Sequence, residues 1–332
     1  MKKFRYIPIF AFAAAIYLLA GCSKWTEPQN KNFRKASIEE QDPGKYAAYL
    51  EALRKYKQTS HKVMIVGMQG TESYPASQVQ HIMAMPDSAD YIFMRLGASL
   101  HPEIASEIPL VKTKKGTQVL LFVNYAPIHE AWGLLEDERA EKGQAPGTME
   151  QMTAFFKEKT ENQLAKCKEY GFDGIYVSYI GNTATEYNEK SQVSYIKAVK
   201  DFYLANADKT LIFRGSVRNI VDKEFVKSCK YLVGVAGEEK KLSTFVGRYL
   251  GSDAPKDRVV IELTVPSSEN PVQTGSSVRE GAEWVLQASE GNNFTPCGLS
   301  VFNGHDDYFN KAKNFDNLRA AISIMNPASK TE

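Results

Sequence analysis

The sequence predicts an α/β fold of the (β/α)8, or TIM, barrel class, on three observations. Short β-rich runs alternate with helical stretches from His61 onward, and eight such runs can be counted. Their centres, such as VMIV at 63–66, VLLFV at 119–123 and VVI at 259–261, are continuously apolar rather than alternating. Continuous runs suit parallel strands covered on both faces. The stretch from His61 to Asn326 also fits the roughly 250 residues typical of such a barrel. A doubly wound open sheet is the alternative. However, no Gly-x-Gly-x-x-Gly follows the first run, where Gly67-Met-Gln-Gly70 reads only as a loop.

An N-terminal helix is expected over 45–57, where Tyr46, Leu50, Leu53 and Tyr56 recur at intervals of three and four. Strands are expected at 62–68, 90–96, 117–125, 174–179, 210–215, 231–236, 258–265 and 298–303. The third is followed by a stretch over 127–146 that reads as a long loop carrying Trp132. The longest helix is expected over 149–170. It gathers Met152, Phe155, Phe156, Leu164 and Cys167 on one side, with many Glu and Lys on the other. Further helices are expected over 186–206 and 276–289. No internal repeat and no shift in composition marks a second domain, so residues 44–332 read as one barrel domain.

The first 21 residues read as a targeting segment. Lys2, Lys3 and Arg5 form a basic start, and residues 7–19 form an apolar run too short to span a membrane comfortably. The run ends in Leu19-Ala20-Gly21-Cys22, which resembles a bacterial lipobox. That resemblance implies a lipoprotein signal peptide over 1–21 and acylation of Cys22. It further implies an outer-membrane lipoprotein at the cell surface or on the periplasmic face. Acyl chains hold a protein to the bilayer by burying methylenes. Residues 22–43, polar and containing Pro28 and Pro43, read as the tether.

A net charge of +2, part of it in the targeting segment, gives no basic stripe for nucleic acid. Cys167, Cys229 and Cys297 cannot all pair with one another, so the chain is no disulfide scaffold. Histidines 61, 81, 101, 129 and 305 show no metal-ligand spacing, and no Gly-x-Ser-x-Gly elbow is present. No cofactor and no metal are expected.

Working residues of such barrels sit at the C-terminal ends of strands. The exits offer Asn124 and Tyr125, then Tyr176, Ser178 and Tyr179, then Arg214, then Glu262 and Thr264, then Phe302, Asn303, His305 and Asp306. Amides, hydroxyls, carboxylates and aromatic rings together suit sugars, which present apolar ring faces and ordered hydroxyls.

The run Tyr170-Gly-Phe-Asp-Gly-Ile-Tyr-Val-Ser-Tyr-Ile180 resembles the fourth-strand signature of the family 18 glycoside hydrolases, the chitinases and endo-β-N-acetylglucosaminidases. That signature reads Asp-Gly-x-Asp-x-Asp-x-Glu. Asp173 and Gly174 keep its opening, while Tyr176, Ser178 and Ile180 stand where the later acids would be. The family protonates the leaving oxygen with that glutamic acid and uses the substrate's acetamido group as nucleophile, a departure from the usual carboxylate pair. Residues 118–124 resemble the family's third strand. Phe302 stands near the place of its sugar-stacking tryptophan.

The resemblance implies a non-catalytic glycan-binding lipoprotein of the Bacteroidetes surface type. It would capture N-acetylglucosamine-containing glycans, N-glycan or chitin-like, for uptake beside an outer-membrane glycan transporter complex. Expected contacts are Asn124, Tyr125, Trp132, Tyr176, Ser178, Tyr179, Arg214, Glu262, Phe302, Asn303 and Asp306. Two alternatives stay open. One is an active glycosidase with a relocated acid, such as Glu262, Asp306 or Asp307. The other is a structural lipoprotein whose mouth is plugged by the 127–146 stretch.

Overall fold

The computed structural model describes residues 38–288 and 294–327. The signal peptide expected over 1–21, Cys22 and the tether as far as residue 37 lie outside the described residues. Among the described residues, no helix is long and apolar enough to cross a membrane. The chain divides into two units, Met1–Ala47 and Ala48–Glu332. The first contains a one-turn helix, α1 (Ile38–Gln41), where a plain tether was expected, and the start of α2 (Pro43–Gln58).

The second unit is a closed parallel barrel of eight strands in sequential order. These are β1 (Val63–Gln69), β2 (Tyr91–Arg95), β3 (Gln118–Asn124), β4 (Gly174–Tyr179), β5 (Thr210–Gly215), β6 (Tyr231–Val235), β7 (Val259–Leu263) and β8 (Pro296–Val301). The remaining helices are α3 (Pro102–Lys115), α4 (Ala126–Glu141), α5 (Met149–Glu169), α6 (Glu186–Leu204), α7 (Lys223–Ser228), α8 (Leu242–Leu250), α9 (Val278–Gln287) and α10 (Asp316–Met325). Between β1 and β2 the crossover uses only the 3-10 turns Gln78–Gln80 and Ile82–Ala84.

Helix α5 shows how sequence sets an element. Thr148 Oγ1 accepts from Gln151 N at 3.2 Å, and Gln151 Oε1 accepts from Thr148 N at 2.9 Å, which closes the first turn as a capping box. Met152, Phe156, Thr160 and Leu164 then recur every fourth residue and are buried. The 127–146 stretch corrects the expectation of a loop. It forms α4, entered with Pro127 in the first turn and burying Ile128 and Trp132 against the shell of the barrel. It therefore does not plug the mouth as a loop.

Two aspartates one residue ahead of strands fix the register. Asp90 Oδ2 accepts from Met64 N at 2.8 Å, and Asp173 Oδ2 accepts from Val119 N at 2.9 Å. Each carboxylate ties a strand entrance to the backbone of the preceding strand. Asp173 also takes a 2.6 Å bond from Lys112 Nζ.

The apolar side chains form two cores. One lies between the strands and the helices. The other fills the barrel lumen with Val63, Ile65, Phe93, Leu120, Ile212, Val233 and Val260 around Tyr176.

Candidate functional site

Alternate residues of a strand face opposite sides of the sheet. In β4 this sends Tyr176 and Ser178 into the lumen. The Tyr176 ring lies flat on Phe93, with centroids 4.2 Å apart and planes 4° from parallel. Its hydroxyl donates to Glu262 Oε2 at 3.1 Å and shares a 3.0 Å bond with Ser300 Oγ. Tyr176 is fully buried. Burial first, and the Glu262 charge second, push its pKa well above the ordinary tyrosine value.

One layer nearer the mouth, Arg214 and Ser178 stand opposite each other on β5 and β4. Arg214 Nε donates to both Glu262 oxygens at 2.9 Å, Nη2 to Oε1 at 2.6 Å, and Nη1 to Ser178 Oγ at 2.9 Å. Glu262 is 2% exposed and Arg214 7%. Burial works against the Arg214 charge, but the charge and hydrogen bonds of Glu262 outweigh it and hold the guanidinium pKa above its usual value. The Glu262 carboxylate thus has both oxygens occupied by donors inside the barrel.

Phe302 closes the layer above. The Arg214 Cζ lies 4.6 Å from its ring centre and the Arg95 Cζ 4.4 Å. Gly67 makes room for it, because a Cβ at that position would collide with the Phe302 carbonyl and the Phe93 ring.

Outside this packed lumen the mouth carries two clefts. One of about 720 Å³ is lined by Gln69, Arg95, Phe302, Asn303, His305 and Asp306 together with the 264–274 loop and Glu238. Asn303 shapes it: its side chain donates to Val265 O at 2.8 Å and to Asp306 Oδ2 at 3.0 Å, and accepts from Val265 N at 3.0 Å. His305 sits beside Asp306, 3.5 Å between Nε2 and Oδ1, and burial lowers its pKa from the ordinary value. A second cleft of about 620 Å³ is lined by Ile180, Phe245, Tyr249 and Glu238 among others. Ile180 is 59% exposed there.

The expected contacts therefore separate into groups. Tyr176, Ser178, Arg214, Glu262 and Phe302 come together in the lumen. Phe302, Asn303 and Asp306 line the larger cleft. Asn124 ends β3 two residues ahead of α4, its Oδ1 accepting from Ala126 N at 3.2 Å.

Tyr125, Trp132 and Tyr179, expected as glycan contacts, are a correction. All three are buried in the shell between strands and helices. Tyr125 pairs its hydroxyl with Ser191 Oγ at 2.8 Å, Tyr179 donates to Asn182 O at 2.9 Å, and Trp132 packs on Phe155. For Tyr179 strand parity is the reason: with Ser178 inward, Tyr179 must point outward, while Trp132 sits on the inner face of α4. Asp307 likewise is buried and accepts from Leu318 N at 2.9 Å, so it does not present an acid to the cleft.

Arg95 and Glu238 went unread in the sequence. Arg95 continues the inward set of Tyr91 and Phe93 at period two, which was the available signal. Glu238 lies in the loop after β6 and gives none. Among the described residues, no group of three or more His, Cys, Asp or Glu is placed to hold a metal ion.

The family model for glycoside hydrolase family 18, BT1044-like, matches residues 26–258. That span contains Arg95, Asp173, Tyr176, Ser178 and Arg214. No curated protein matches the chain in sequence. Among solved structures, a Glu-to-Gln variant of BT1044 is 17% identical and superposes with a TM-score of 0.59, over 88% of this chain and 96% of that one. The endo-beta-N-acetylglucosaminidase of Cordyceps militaris is 15% identical with a TM-score of 0.59, over 84% and 96%. A double variant of that enzyme has been solved in complex with fucosyl-N-acetylglucosamine-Asn. A chitinase from Bacteroides thetaiotaomicron is 12% identical with a TM-score of 0.51, over 82% and 99%. At these identities the likeness concerns the fold.

Proposed function

Because the chain belongs to the BT1044-like glycoside hydrolases of family 18, we propose that it is a non-catalytic member of that family, a lipoprotein that holds an N-acetylglucosamine-containing glycan at the barrel mouth for uptake. One observation carries the reading. Where family members of the resembled type need a carboxylic acid and its acidic partners, this barrel has a Tyr176–Glu262–Arg214–Ser178 network buried beneath Phe302. A general acid must come within hydrogen-bond reach of the glycosidic oxygen and carry a proton to give. Glu262 does not come within that reach: it lies 2% exposed under Phe302, and both its oxygens already accept from the Arg214 guanidinium. Ile180, at the last position of the resembled motif, has no proton to transfer.

The clefts supply what binding requires: half-buried aromatic rings, Phe302 and Phe245, with Gln69, Asn303 and Asp306 for hydroxyls. The lipobox-like end at Cys22 supports attachment to the outer membrane, and the family resemblance supports a glycan transporter as partner. The test is titration calorimetry with N-glycan fragments and chito-oligosaccharides, run beside product analysis of the same mixtures. Saturable binding with unchanged glycan is expected. Absence of binding to every such glycan overturns the reading, and so does release of a cleaved product.

A further inference from the structure

Arg95 closes β2 at the mouth of the barrel and lines the larger cleft beside Gln69, Phe302, Asn303 and Asp306. Unlike Arg214, whose three nitrogens all donate to protein oxygens, it makes no side-chain hydrogen bond or ion pair within the described residues. Its Nε is the one buried side-chain nitrogen or oxygen among them without a partner. The guanidinium rests on the Phe302 ring, 4.4 Å from Cζ to the centroid. A buried donor without an acceptor costs stability, and burial outweighs the attraction of Asp306 and Glu262 and lowers the guanidinium pKa, so the fold alone is a weak reason for an arginine here.

The fork geometry of a guanidinium matches paired oxygen acceptors. The cleft decides what kind of oxygens. Glu238, Glu269 and Asp306 line it with Arg95, and burial keeps His305 below its ordinary pKa, so it adds little positive charge at neutral pH. Three carboxylates against one guanidinium disfavour an acidic ligand. They favour hydroxyl groups, which accept from Arg95 on one oxygen and donate to Asp306 from another.

We propose that Arg95 is a ligand-binding residue, its guanidinium taking adjacent oxygens of a neutral sugar unit in the larger cleft. This rests on the glycan-binding reading above and specifies which cleft and which sugar class it uses.

The experiment compares wild type with Arg95→Met and Arg95→Lys. Calorimetry is run with the neutral N-glycan core pentasaccharide and with a sialylated N-glycan, and melting temperatures are taken without ligand. Wild type should bind the neutral core and gain nothing from the sialic acid carboxylate. Arg95→Met should weaken binding about tenfold or more, while its melting temperature holds or rises. Arg95→Lys, folded and still charged, should also bind less tightly because it lacks the fork. Undiminished binding in both variants overturns the inference. So does a fall in melting temperature that accompanies loss of binding in both variants, because that marks a structural role. Binding that requires the carboxylate overturns the sugar class. If wild type binds neither glycan, the glycan reading itself fails.

Discussion

Glu262 lies 2% exposed with Arg214 Nε, Arg214 Nη2 and the Tyr176 hydroxyl donating to it. A buried pair of this kind is strongly destabilising to break from one side, by about 3–5 kcal/mol, because the remaining charge has no counter-ion. Arg214→Met should therefore lower unfolding free energy by about that amount in denaturant titrations. Arg214→Met combined with Glu262→Met should recover most of the loss, since both charges leave together. A double variant as unstable as the single one would show that the network holds the lumen by shape rather than by charge pairing.

His61 offers a second residue-scale prediction. Its Nε2 lies 2.8 Å from Asp90 Oδ1, and that hydrogen bond raises its pKa above the usual 6.5. A raised folded pKa adds stability that is fully present below the unfolded value and is lost as pH rises through the folded one. Wild type should thus exceed His61→Gln in stability by more at about pH 5.5 than at about pH 9. An equal difference at both would remove the charged histidine from the account.

At the scale of elements, Asp173 shows how a familiar motif residue can serve the strand rather than the chemistry. It accepts from Val119 N and Lys112 Nζ at the entrance of β4. Asp173→Ala leaves a buried backbone N–H without an acceptor and should cost about 1–3 kcal/mol. Asp173→Asn, which keeps an acceptor for Val119, should cost less, and neither should alter glycan affinity in the folded protein. A loss of affinity without loss of stability would place Asp173 in the site.

The strands were legible because parallel strands buried on both faces must be apolar throughout, and their observed limits fall within two residues of those expected. That same uniformity hid which side chains face inward. Tyr176 and Tyr179 looked equivalent as aromatic residues on one strand, yet one lies in the lumen and the other in the shell. The 127–146 stretch misled for another reason. Pro127 and Pro146 bound it, yet proline at the first turn of a helix costs no hydrogen bond, and α4 starts there. Arg95 could have been read from the period-two continuation of Tyr91 and Phe93. Glu238 reaches the mouth through a loop whose path no local pattern fixes.

In the whole molecule as we propose it, a lipid-anchored terminus leads to a family 18 barrel whose lumen is packed and whose mouth carries two clefts. The anchor carries its own prediction. Cys22→Ser should move the protein from the membrane fraction to the soluble fraction of its cell and abolish incorporation of labelled fatty acid. Unchanged membrane association and labelling would remove the acylated cysteine.

Retention of a glycan without cleavage can be followed by incubating purified protein with an N-glycan core oligosaccharide, measuring bound ligand by calorimetry and the fate of the glycan by mass spectrometry. Saturable binding and an intact oligosaccharide after prolonged incubation are expected. Cleavage between the core N-acetylglucosamine units that Glu262→Gln abolishes would contradict the non-catalytic reading.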